Sequence, residues 1–276
     1  MRYHVRLWGD AAAPKLFMFH GWMDVAASFQ FLVDALRREW RVIAPDWRGF
    51  GLSDWSDADC YWFPDYVGDL ETILRHYQPD GAVNLLGHSL GGNVASLYAG
   101  IRPHRVANLV NVEGFGLPRA KPESAPDRYA KWLDQLAIRP RLKPYANFEE
   151  LAARLMSQNA RLSKDKADFL ARHWGQPEGD VIVLEGDPGH KLVNPTLYRI
   201  EEAMACWRRV TAPVLWIGAA DSFVIKSFAD RPEEYEARKA CFANLTEHII
   251  ADAGHMVHHD QPEILAKLVE DFLGQR

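Results

Sequence analysis

Gly87-His88-Ser89-Leu90-Gly91 puts a hydroxyl between small residues, directly after the apolar run Ala82–Leu86 and ahead of a helical stripe of Leu90, Val94, Leu97 and Ile101. A G-x-S-x-G pattern in a strand–turn–helix setting presents the serine Oγ at a sharp turn. The start of the helix aims backbone N–H groups at the same spot, where negative charge would be stabilised. That combination suits attack on a carbonyl carbon, with Ser89 as the nucleophile.

A serine hydroxyl is a weak nucleophile at neutral pH and needs an adjacent base. Of eleven histidines, His255 in Ala253-Gly254-His255-Met256 follows a strand-like run and precedes the last helix. It is the candidate base, because a parallel sheet places its site in loops at the carboxyl ends of its strands. His258 and His259 read as solvated or structural. The spacing His255-x-x-His258 names no third ligand, so no metal site is expected. A third group must orient the imidazole and stabilise its charged form. Asp221, after Val214–Ile217, is the favoured acid. Glu113, at the end of Leu109–Val112, is the alternative. The oxyanion needs two backbone donors. Leu90 N–H is one, and Trp22 N–H in His20-Gly21-Trp22 is the other.

Positioning these residues takes a sheet. Leu16–Phe19, Arg41–Ala44, Ala82–Leu86, Leu109–Val112, Val214–Ile217 and His248–Ala251 are short apolar runs alternating with helical periods. Strands of this kind are buried on both faces, as in a parallel sheet covered by helices, which predicts an α/β doubly wound core. Asp260-x-x-Glu263 reads as a capping signal for the final helix. The alternation breaks between about 116 and 208, where helical patterns over 129–136, 148–156, 164–174 and 198–207 surround a strand-like 181–184. The expected organisation is a core of residues 1–116 and 209–276 with a mainly helical cap, 117–208, inserted in it. Trp132, Phe148, Phe169, Trp174 and Met204 are the cap's candidates for a pocket wall.

Composition narrows the classes. The chain has 276 residues, 48% hydrophobic and 25% charged, with a formal net charge of -5. It carries no basic footprint for nucleic acid or an anionic membrane. Cys60, Cys206 and Cys241 offer neither a disulfide framework nor zinc spacing, so a cytoplasmic setting is expected. The N-terminus lacks an apolar leader-like run, and no window is long and apolar enough to span a bilayer. The expected partner is a small-molecule substrate, with no cofactor. Nothing in the sequence fixes an oligomeric state.

Taken together, His20-Gly21-Trp22, the segment Pro45 to Asp54, the Ser89 turn, Asp221 and Gly254-His255 make the chain resemble the α/β-hydrolase fold family over nearly its whole length. It is similar to the capped esterase-type branch that includes the serine hydrolase-like proteins. The order Ser89…Asp221…His255 is the one this family uses. The resemblance implies that Asp46 and Arg48 brace the loop after their strand. With few residues before Leu16, an N-terminal strand of the usual sheet is expected to be missing or reduced. Serine at the nucleophile position argues against the dehalogenases and epoxide hydrolases, which attack with a carboxylate, although Glu113 falls where some dehalogenase-like relatives keep their acid.

The resemblance implies a serine hydrolase cleaving carboxylic esters of small to medium apolar substrates through an acyl-serine. C–C bond hydrolases and cofactor-free dioxygenases of this fold use the same residues differently. The latter share the His-Gly-Trp loop and a Trp-Arg-Gly-x-Gly-Leu-Ser segment, and His88 beside Ser89 is similar to them. A non-catalytic ligand receptor is the third class.

Overall fold

The computed structural model describes residues 1–56 and 58–274. Its seven-stranded sheet comprises β1 (Val5–Trp8), β2 (Lys15–Phe19), β3 (Arg41–Pro45), β4 (Val83–His88), β5 (Val106–Val112), β8 (Val214–Ala219) and β9 (Leu245–Ile250). The spatial order is β1-β3-β2-β4-β5-β8-β9. In this sheet β1 pairs antiparallel with β3, and the other neighbours are parallel. The sequence reading missed β1, a four-residue strand without a continuous apolar run.

Alternation along each central strand explains the layers, since successive side chains point to opposite faces. Phe17, Phe19, Leu85, Leu109 and Trp216 enter one core, with Leu70 and Leu74 of α2 (Phe63–Tyr77) and Val94 and Tyr98 of α3 (Leu90–Ile101). Leu16, Met18, Leu86, Val110, Leu215 and Ile217 enter the other. There they meet Leu32 of α1 (Gln30–Ala35) and Leu265, Ala266 and Val269 of α11 (Pro262–Leu273). Truncating one such buried leucine costs about 2–5 kcal/mol.

Between β5 and β8 lie α4 (Ala125–Ala137), α5 (Phe148–Gln158), α6 (Lys164–Trp174), the hairpin β6 (Gly175–Glu178) and β7 (Val181–Leu184), and α7 (Ile200–Trp207). Leu151, Leu155, Leu170 and Ile182 give α5, α6 and the hairpin a small core of their own. Ile200, Ala203 and Trp207 of α7 instead pack into the main core. Three further helices, α8 (Phe223–Lys226), α9 (Pro232–Lys239) and α10 (Val257–Asp260), complete the C-terminal part.

One local reading is corrected. α11 starts at Pro262 with no side-chain cap. Asp260 accepts from Gly254 N–H and from Asn159 Nδ2 instead, so it ties the His255 loop to the chain after α5. His258 and His259 are buried, at 1% and 3% exposure, which fits the structural and not the solvated one of their two readings.

Candidate active site

Ser89 sits between β4 and α3 with φ 51° and ψ −110°. Non-glycine residues reach such a conformation only at a cost of about 1–3 kcal/mol. The neighbouring glycines make room for it: a Cβ on Gly91 would run into the Phe19 carbonyl, and one on Gly87 into Gly91. Ser89 N–H donates to Val112 O at 2.8 Å, and Gly91 N–H to His20 O at 3.1 Å. Both bonds hold the turn against neighbouring strand ends.

His255 Nε2 lies 3.0 Å from Ser89 Oγ, and its Nδ1 lies 3.0 Å from Glu113 Oε2. The Glu113 side chain is fully buried and that of His255 is 21% exposed. Glu113 Oε1 accepts from Ala219 N–H at 2.7 Å, and Oε2 also accepts from the Ser222 hydroxyl. A buried carboxylate needs such donors, because an unpaired charge there would be expensive. Ser222 is a member that sequence reasoning missed. Its signal, a serine opening α8, looks like an ordinary N-cap, and its Oγ does accept from Val224 N–H at 3.1 Å.

Asp221, the favoured acid, is not in this line. Its carboxylate pairs with Arg161 at the protein surface, with the Asp221 side chain 45% exposed. Its backbone N–H is bound to Ala253 O, while the neighbouring Ser222 turns inward to Glu113. The position facing His255 Nδ1 is filled from β5, so the alternative, Glu113, is the carboxylate that meets the imidazole.

His20 fixes the loop that carries Trp22. Its Nδ1 donates to Gly21 O at 2.7 Å and its Nε2 accepts from Trp47 N–H at 2.9 Å, which sets the tautomer. Burial pushes the ring's pKa down, keeping it neutral. Among the described residues, neither Trp22 N–H nor Leu90 N–H donates to another backbone or side-chain group, which leaves both amides available. The Asp46 carboxylate accepts from Ala26 and Leu52 N–H, and Arg48 makes a two-pronged contact with Asp69.

Two cavities meet at Ser89. One, of about 300 Å³, is lined by Trp22, Tyr61, Trp62, Leu90, Arg128 and His190 among others. The second, of about 170 Å³, lies on the Phe223, Phe228 and His255 side. The five aromatic and methionine residues expected in the wall line neither. Phe148, Phe169 and Trp174 pack on the small core, Met204 packs on the main one, and Trp132 Nε1 donates to Asp59 O. The wall comes instead from residues 61–66, at the start of α2, and from the stretch 190–194, whose irregular backbone carries no periodicity to read. His190 is stacked between Phe50 and Tyr61, and burial pushes its pKa down to about 3. His88 lines neither cavity; its Nε2 donates to His255 O at 2.8 Å.

Comparison with known proteins agrees with this architecture. A family profile described as "alpha/beta hydrolase fold" matches residues 14–262. A serine hydrolase-like protein of Danio rerio is 27% identical over 97% of this chain and 84% of its own. A pimeloyl-[acyl-carrier protein] methyl ester esterase of Aeromonas hydrophila is 27% identical over 95% of this chain and 96% of its own. Among solved structures, the thioesterase domain from the curacin biosynthetic pathway superposes with a TM-score of 0.86 at 23% identity, covering 98% of this chain and 95% of that one.

Proposed function

Because the chain belongs to the α/β-hydrolase fold family, we propose that it is a serine hydrolase that cleaves carboxylic esters of small to medium substrates. The observation that carries this reading is the continuous line from Ser89 Oγ through the His255 imidazole to the Glu113 carboxylate, 3.0 Å at each step. Similarity to an esterase named for a methyl ester supports the bond type.

In this mechanism His255 Nε2 takes the hydroxyl proton as Ser89 Oγ attacks the ester carbonyl carbon. The negative charge that develops on the carbonyl oxygen is held by Leu90 and Trp22 N–H, with Glu113 stabilising the imidazolium. Collapse breaks the C–O bond, and His255 returns the proton to the departing alcohol. Water, deprotonated by the same nitrogen, then attacks the acyl-serine, and His255 passes that proton to the departing Ser89 Oγ, freeing the acid and restoring the hydroxyl. Protein groups and water account for every step.

The roughly 300 Å³ cavity suits an acyl or alcohol group of modest length. The test is hydrolysis of p-nitrophenyl esters from acetate to laurate by wild type and Ser89→Ala. The reading expects turnover that peaks at short to medium chains and disappears in the variant. Turnover no greater than that of the variant at every length, from folded protein, would overturn it.

A further inference from the structure

Beside the Ser89–His255–Glu113 line lies a second cluster that the mechanism does not use. Asp24, His88 and His258 are buried, at 2%, 1% and 1% exposure, and none of them lines a cavity at Ser89. Among the described residues, four of their polar atoms have no hydrogen-bond partner: Asp24 Oδ2, His88 Nδ1 and both ring nitrogens of His258. Leaving that many buried groups unpaired is costly, and native proteins rarely do it without an ion or water between them. One ligating atom from each residue lies within 4.8 Å of the other two.

We propose that Asp24, His88 and His258 form a buried site for a divalent transition-metal ion of the zinc class. Two imidazoles and a carboxylate are a donor set that suits such ions. His88 Nε2 is committed to the His255 carbonyl, so His88 Nδ1 presents a lone pair, as a metal-binding histidine requires. Asp24 Oδ1 accepts from Val25 N–H, leaving Oδ2 as the ligating oxygen. Asp24 Oδ2 and His258 Nε2 are 3.7 Å apart, too far for a hydrogen bond. Bonds of about 2.0–2.2 Å at tetrahedral angles put neighbouring ligand atoms roughly 3.3–3.6 Å apart. That pair therefore already stands near a ligating separation.

The site's placement gives it a role. Asp24 follows Trp22 by two positions, His88 immediately precedes Ser89, and His258 follows His255 by three. One ion would thus tie together the three loops that carry the oxyanion donor, the nucleophile and the base.

Cobalt titration tests this on the full chain after it has been stripped with chelator. The expected result is the visible absorption of four-coordinate Co²⁺ at one equivalent, bleached by Zn²⁺, and a Tm that Zn²⁺ raises. Folded His258→Gln and, independently, Asp24→Asn lose both the bands and the Tm shift. Absence of the bands in wild type, or the same bands and stoichiometry in the folded variants, would overturn the site and leave a bridging water as its occupant. Ester hydrolysis plays no part in the readout, so failure here is separate from failure of the Ser89 reading.

Discussion

Glu113 Oε2 stands 3.0 Å from His255 Nδ1, so the carboxylate that meets the imidazole comes from β5, the strand next to the one that ends at Ser89. Glu113 itself has φ 61°, the same left-handed region as Ser89 at 51°. Both ends of the hydrogen-bonded line are therefore held in backbone conformations that cost about 1–3 kcal/mol each. The packed sheet ends around them supply that energy.

Ser222 should act on chemistry through Glu113 without touching substrate. Its hydroxyl donates to the carboxylate, and bonds to charged groups contribute about 1.5–3 kcal/mol. Ser222→Ala is expected to lower kcat by roughly tenfold or more while KM changes little, and Ser222→Thr should restore part of it. Steady-state kinetics on one p-nitrophenyl ester would show the split. A change confined to KM would contradict a positioning role.

Arg48 should matter for stability. Its guanidinium is held by Asp69, which is 1% exposed and also accepts from Tyr3 OH. Arg48→Met leaves that carboxylate buried without its cation, which should cost about 3–5 kcal/mol in urea unfolding. Adding Asp69→Leu should recover much of the loss. If both variants unfold at the same urea concentration, the pair is not coupled.

Stability should fall in acid for a reason visible at His190. Burial between Phe50 and Tyr61 pushes its pKa from 6.5 to about 3. Below pH 6.5 the unfolded chain takes up a proton that the folded ring refuses. The ring's contribution is thus complete above that pH and declines as pH falls toward about 3, by up to about 1.4 kcal/mol per unit. His190→Phe should flatten this part of the stability–pH curve; an unchanged slope would assign it to other groups.

Local chemistry made much of this readable in sequence. Strict small–x–Ser–x–small spacing after an apolar strand specifies a turn that only such residues can make, and the parallel sheet follows from runs buried on both faces. His255 stood out because it follows a strand end. The acid did not, because both candidates end a strand and only the outward turn of Asp221 toward Arg161 separates them. The pocket wall was misread for a related reason. Amphipathic helices such as α5 and α6 spend their aromatic residues on their own small core, leaving the start of α2 and the chain around 190–194 to face Ser89.

The central claim is that Glu113, and not Asp221, completes the line to Ser89. Measuring kcat/KM for Glu113→Gln and Asp221→Asn on the same ester, with folding checked by circular dichroism, tests it most directly. The account predicts a fall of about 10³–10⁴ for Glu113→Gln. It predicts a change within about threefold for Asp221→Asn, as for a surface substitution. A large loss in Asp221→Asn with Glu113→Gln nearly unaffected would contradict it.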